Sequence, residues 1–414
     1  MNNFINKISI VAFALANKLI NNTKEKHFKK RNVLVLFHEP GIGDIICALD
    51  LIDKLELVFP EKENYKIFIA IDRYIYNFLS KIYHINKYEF IVLDIGEEDR
   101  NSFGIFRKNF KKLNSIEWER VVSFERLGRY LKLLIMGLAT KSYYLIEFES
   151  FHSLYRQESL LNFFLNDLHI FIFNDYEMLF LLYEKAIFLF TGKHIHLELP
   201  KIDILNEHSY FLKEKKYCII SCGIGLSHSN PFRVWPLDRF AKVIMHIRRV
   251  FHLDIYLCGS YDDIPNTNCL LESLSDKSNI YNFVGKTNFN EWIELIRNAE
   301  FVLGNDSGYI HLAAAVDTQA FVIIGFWNYG RFHPYQTSKE YLNYKKPILI
   351  TAMKPECALC SFSQLWRNNP KAQFAKSLCI DEVKNNGTYK CISDISVKNV
   401  IDVLNNYYLN VLKE

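Results

Sequence analysis

Short apolar runs that stop at a polar or glycine turn, then give way to helical periodicity, constrain this chain more than any other feature. Residues 32–37 (NVLVLF), 66–71 (KIFIAI), 217–222, 254–258 (DIYLC), 280–284 and 301–303 are runs of this kind. Unbroken apolar character, rather than alternation, suits strands buried on both faces of a parallel sheet. Between them, residues 45–58 place Ile45, Leu49, Ile52, Leu55 and Val58 on one helical face. Residues 237–250 and 264–275 also read as helices, and Asn288 with Glu291 makes a capping box for a further one. Strands alternating with helices imply parallel βαβ units with helices on both sides of the sheet. The pattern occurs in both halves of 414 residues, a length natural for two domains. The expectation is an α/β protein with two doubly wound, Rossmann-like domains facing a central cleft.

The boundaries follow from composition. Residues 1–31 form an amphipathic, basic segment, and 32–200 the first domain. Residues 201–395 form the second, carrying a cysteine-containing stretch at 357–391, and 396–414 a terminal helix. Residues 103–200 are harder to read. Residues 121–125 suit a strand, and 130–138 and 176–190 suit strongly apolar helices whose aromatics belong to a core. Half the residues are apolar, with 33 Phe and 24 Tyr, which excludes general disorder. The net charge of +4 is mild and no nucleic-acid-binding signature is present.

At the N-terminus, Lys7 precedes an apolar run over 8–16 that is too short to span a membrane. Three readings fit. The first is a helix on an anionic membrane surface, backed by Lys24, Lys26, Lys29, Lys30 and Arg31. The others are a helix packed on the protein and a cleaved signal segment. The surface helix is the preferred reading. An odd count of nine cysteines without a regular framework fits a reducing cytoplasm.

Two turns carry candidate chemistry. Gly41-Ile42-Gly43-Asp44 follows the first apolar run; it lacks the third glycine of a dinucleotide fingerprint and the Lys of a phosphate loop. Asp44 fits either a carboxylate satisfying a helix dipole or a general base for a hydroxyl. The second turn, Asn305-Asp306-Ser307-Gly308, lies between the run at 301–303 and a short helix containing His311. Asn, Asp and Ser favour helix N-caps, and free N–H groups there attract an anion. Asp306 would repel a phosphate, so a hydroxyl of a ribose or sugar suits it better. The alternative is a capping turn with a buried His. Arg233 is either a phosphate ligand or a solvated surface cation.

In this order, Gly43-Asp44-Ile45-Ile46, residues 233–241 (RVWPLDRFA), residues 283–287 (FVGKT) and residues 305–315 (NDSGYIHLAAA) resemble glycosyltransferase family 9, the heptosyltransferases of lipopolysaccharide core assembly. The resemblance implies a GT-B fold and an inverting, metal-independent transfer of a sugar from a nucleotide-activated donor, typically ADP-heptose, to a glycolipid acceptor. It implies a cytoplasmic enzyme, peripheral on the inner face of the membrane. By motif position, Asp44 matches the proposed catalytic base. Arg233 stands where a phosphate-contacting Lys is usual, and Asp306, Ser307, Gly308 and His311 match the donor motif, with Asn305 beside them. Two positions depart: Asp50 and Gln319 each stand where Pro is common. Transfer of another sugar, a protein acceptor and an idle GT-B scaffold are the competing readings.

Cys357-x-x-Cys360 with Cys379 and Cys391 makes a four-thiol set. Structural zinc or iron, free thiols and disulfides all fit it. No cofactor is expected for catalysis.

Overall fold

The computed structural model describes residues 2–22, 31–37, 41–82, 87–96, 99–148, 161–165, 167–173, 177–202, 215–224, 231–325, 329–338, 344–352, 379 and 381–411. The chain divides into two compact units, Met1–Leu197 and Glu198–Glu414.

The strands of unit 1 are β1 (Arg31–Phe37), β2 (Tyr65–Asp72), β3 (Glu89–Leu93), β4 (Trp118–Arg126), β5 (Thr140–Phe148) and β6 (Leu168–Phe173). They form one sheet in the order β3-β2-β1-β4-β5-β6, parallel throughout. Unit 2 contains β7 (Tyr217–Ser221), β8 (Asp254–Leu257), β9 (Ile280–Asn282), β10 (Val302–Asn305), β11 (Ala320–Ile323) and β12 (Ile348–Ile350). Its order is β12-β11-β10-β7-β8-β9, again parallel. Counted from each unit's first strand, both sheets read 3-2-1-4-5-6. In that order the connections after the first and fourth strands run to opposite sides, which opens a crevice at the carboxyl ends of those strands. The switch falls between β1 and β4 in unit 1 and between β7 and β10 in unit 2.

The central strands are buried along their length: β7, β8, β10 and β11 are buried at every residue, as their unbroken apolar runs require. The helix expected over 45–58 is divided into Ile42–Cys47, Leu49–Asp53 and Leu55–Val58. Bridge-region conformations at Ala48 (φ −90°, ψ −3°) and Lys54 (φ −93°, ψ 3°) make the divisions. The apolar face survives them, since Leu49, Ile52, Leu55 and Val58 are all buried. Asp50 accepts from Lys54 at 2.8 Å, one turn on. Gln319 is buried, and its amide donates to the carbonyls of Ala320 and Lys346.

The N-terminal helix Asn2–Asn22 belongs to unit 1 and does not stand apart as a separate segment. Ile10, Ala14, Lys18 and Asn21 are buried, and Phe13 meets Phe103, Phe106 and Phe110 edge-on. Asn21 donates to the carbonyl of Gly137 at 2.5 Å. Ile5, Ile8, Leu19 and Ile20 are exposed, and at helical spacing they fall on the opposite side. The helix is therefore packed on the protein, the second of the three sequence readings, and it also presents an apolar outer stripe. The basic run at 24–30 lies outside the described residues. The final helix, Val397–Val411, buries Val400 and Leu404 in the core of unit 2.

Candidate functional site

The clearest polar cluster lies at the switch point of unit 2. β10 ends at Asn305, which is fully buried. Its amide oxygen accepts from the backbone N–H of Trp235 at 2.9 Å, and its nitrogen donates to the carbonyls of Cys222 at 2.8 Å and Gly223 at 3.3 Å. Asn305 thus fastens the end of β7 and the Arg233–Trp235 turn to the end of β10. Trp235 is buried and donates its indole N–H to the Ile395 carbonyl at 2.9 Å, fixing the same turn from the other side. Gly304 is required by close approach, because a Cβ there would lie 2.7 Å from the Ser221 carbonyl oxygen.

Asp306 follows directly. Its backbone N–H donates to the Ile323 carbonyl at 3.2 Å. Its side chain is one-tenth exposed, and Oδ1 lies 3.5 Å from Nε2 of His333. Burial by itself would raise its pKa. The contact with His333, and the positive charge of His333 and Arg233, outweigh burial and hold the carboxyl well below the usual carboxylate range. Ser307 is the N-cap residue of the helix Gly308–Ala315, but its hydroxyl makes no capping bond and is buried without a hydrogen-bond partner among the described residues.

His311 is buried one turn into that helix, and its Nδ1 lies 2.6 Å from the Tyr335 hydroxyl. Burial above all, then the charge of His333, pushes its pKa down to about 3 against the opposing pull of Asp306. At neutral pH it is an uncharged hydrogen-bonding group. His333 is completely buried and stacks near-parallel on both His311 and Tyr335, with centroids 4.9 and 5.1 Å apart.

Asp306, His311 and His333 offer three ligand atoms within 4.8 Å of one another. The two imidazoles are 13° from parallel and stacked, however. An imidazole nitrogen binds a metal in its ring plane, so an ion lying in one plane falls outside the other. As placed, these rings suit hydrogen bonding. Of the four thiols, Cys379 and Cys391 are buried, and burial raises the Cys379 pKa. Cys357 and Cys360 lie outside the described residues.

The structure therefore gathers Arg233, Asn305, Asp306, Ser307, Gly308 and His311 in unit 2. It adds His333 and Tyr335, which sequence reading missed. The only sequence signal for them was two polar-tipped rings in the aromatic stretch 332–335 (FHPY), some twenty residues past the motif. Asp44 lies in unit 1, half-buried in the first turn of Ile42–Cys47, just past β1. Gly41 is that helix's N-cap, and a Cβ there would lie 2.2 Å from Asp44 Oδ2. Gly43 is buried in the same turn.

Two Rossmann-type sheets of identical strand order, one bearing a carboxylate–imidazole cluster at its switch point, define a two-domain α/β protein of the GT-B kind. Residues 192–356 match the model of glycosyltransferase family 9 (heptosyltransferase). A 99-residue stretch is 34% identical to the lipooligosaccharide heptosyltransferase 2 of Haemophilus influenzae, covering 23% of this chain and 28% of that relative's length. The structure of E. coli ADP-heptose lps heptosyltransferase II aligns with a TM-score of 0.61 at 16% identity, over 92% of this chain and 99% of that one. The iron-containing dodecameric glycosyltransferase TibC of enterotoxigenic E. coli aligns with a TM-score of 0.51 at 13% identity, over 94% and 79%. The likeness to glycosyltransferase family 9 thus rests on residues 192–356, and the chain spans less than a third of the length of the curated relatives it matches. The expected α/β class with two doubly wound, Rossmann-like units is borne out.

Proposed function

We propose that the chain is an inverting glycosyltransferase that moves a sugar, heptose from ADP-heptose, onto a lipopolysaccharide or lipooligosaccharide core acceptor. The observation that carries this is the Asp306–His311 cluster at the carboxyl end of β10, inside the stretch that matches the family model. The donor's nucleoside diphosphate occupies the unit 2 switch point. Asp306 accepts hydrogen bonds from donor hydroxyls, and Arg233 with the N–H groups opening the helix Gly308–Ala315 faces the diphosphate. Asp44 takes the proton of the acceptor hydroxyl. The acceptor oxygen bonds to the anomeric carbon from the face opposite the diphosphate. The bond from that carbon to the diphosphate oxygen breaks, and the leaving group departs with the electron pair. Negative charge grows on the diphosphate, where Arg233 and the helix N–H groups offset it. No cofactor takes part in these steps.

The apolar stripe Ile5, Ile8, Leu19 and Ile20 supports a peripheral seat on the cytoplasmic face of the membrane. Co-flotation with anionic vesicles tests it, and a protein that stays at the bottom of the gradient refutes it. The four thiols fit a structural zinc or iron ion. Metal analysis of purified wild type against Cys379→Ser would show stoichiometric metal lost in the variant, and a metal-free wild type rules the ion out.

The central experiment is a binding panel of ADP, UDP, GDP and CMP on wild type and Asp306→Ala. Selective ADP binding that drops at least tenfold in the variant is expected, in line with losing a charged hydrogen-bonding group. Preference for another nucleotide replaces the heptose donor, and no binding by folded protein leaves the scaffold reading.

A further inference from the structure

We infer that His333 is the positioning residue of Asp306: its ring N–H holds the carboxylate ionised and in a fixed direction at the head of the helix Gly308–Ala315. The ring is 0% exposed, and among the described residues neither nitrogen has a hydrogen-bond partner. A buried imidazole without a partner is costly, so the direction in which its edge points is informative. That edge faces Asp306, with Nε2 3.5 Å from Oδ1, longer than a good hydrogen bond and within reach of one on a small carboxylate rotation. Stacking on His311 and Tyr335 leaves the ring little freedom to turn elsewhere.

The other groups facing Asp306 do not fill this role. His311 engages the Tyr335 hydroxyl through Nδ1 and is uncharged at neutral pH, so it is no counter-charge there. The Tyr335 hydroxyl is engaged with His311. Arg233 contributes charge from the turn at Pro231–Arg233, on the side proposed to meet the diphosphate. His333 brings its Nε2 to the Asp306 carboxylate. It arrives from the segment beyond β11, outside the motif at 305–315. Without that N–H, a buried Asp306 carboxyl takes up a proton at higher pH and stops accepting hydrogen bonds with both oxygens.

Two substitutions separate this role from packing. His333→Gln keeps an N–H donor, whereas His333→Phe keeps a flat stacking ring without one. ADP affinity is measured from pH 5 to 8 as the ratio of variant to wild type at each pH, which cancels titration of the nucleotide's own phosphate. For His333→Phe the expected ratio is a loss of about tenfold at pH 7.5, growing further toward pH 5. For His333→Gln it stays nearly level. A His333→Phe ratio independent of pH overturns the inference, as does a His333→Gln ratio with the same acid slope.

The binding arm rests on the donor-site reading, so a second arm needs no ligand. Melting temperatures are compared for His333→Phe, Asp306→Asn and the double variant. His333→Phe should cost less in the Asp306→Asn background than alone, and strict additivity overturns the inference. If wild type binds no nucleotide, the donor reading falls while this cycle still decides the role of His333. Should His333→Phe not fold, His333→Met carries the same expectations in both arms.

Discussion

The two units share one strand order and differ in what stands at the switch. In unit 2 the switch is built from interlocked buried groups: Asn305 joins three segments, and Asp306 meets His333 beside a His311–Tyr335 pair. In unit 1 the same topological position carries Asp44 in a six-residue helix, half-buried, with Gly41 beside it. The family match covers residues 192–356, almost all in unit 2, and reaches unit 1 only in its last residues. One topology thus carries interlocked buried groups at one switch and a half-buried carboxylate in the first turn of a short helix at the other.

The comparison breaks first at Asp44. If unit 1 supplies the base, Asp44→Asn lowers turnover by about 10³-fold while leaving nucleotide affinity within a few-fold of wild type. Equal loss of both would mean that Asp44 serves binding instead. The two glycines give the next contrast. Gly41→Ala drives a methyl against the Asp44 carboxylate and should lower turnover with little change in melting temperature. Gly304→Ala drives a methyl against the Ser221 carbonyl, which is backbone and cannot swing aside, and should cost about 1–3 kcal/mol of stability. Denaturant unfolding beside an activity assay separates the two, and the reverse pattern would erase the distinction between the units. The last contrast is in acid. His311 is uncharged in the fold down to about pH 3, whereas an unfolded His takes up a proton near its ordinary value of 6.5. Between those values the unfolded chain binds more protons, so stability falls as pH drops, by at most about 1.4 kcal/mol per pH unit. His311→Asn should flatten the melting-temperature profile between pH 6.5 and 4, and an unchanged slope would remove His311 as its source.

The parallel sheets were legible because buried strands must be apolar without interruption, as 32–37 and 217–222 are. β5 and β6 escaped the reading. Tyr143, Tyr144, His169 and Phe171 mix rings and polar tips, and β6 is largely half-buried, so its pattern does not separate from loop. In the site, Asp306 and His311 were legible because they share one turn and the helix it opens. Asn305 was legible as a motif residue, but its work, binding two other segments by its amide, depends on contacts 70 and 83 residues away. His333 was invisible for the same reason: a ring far along the chain means nothing until folding brings it to Asp306.

The Asn305 amide has a mechanical consequence. Because it grips the Trp235 backbone on one side and the Cys222 and Gly223 carbonyls on the other, the turn carrying Arg233 and the strand end carrying Asp306 form a single lever. A push on either arm is transmitted to the other through one side chain.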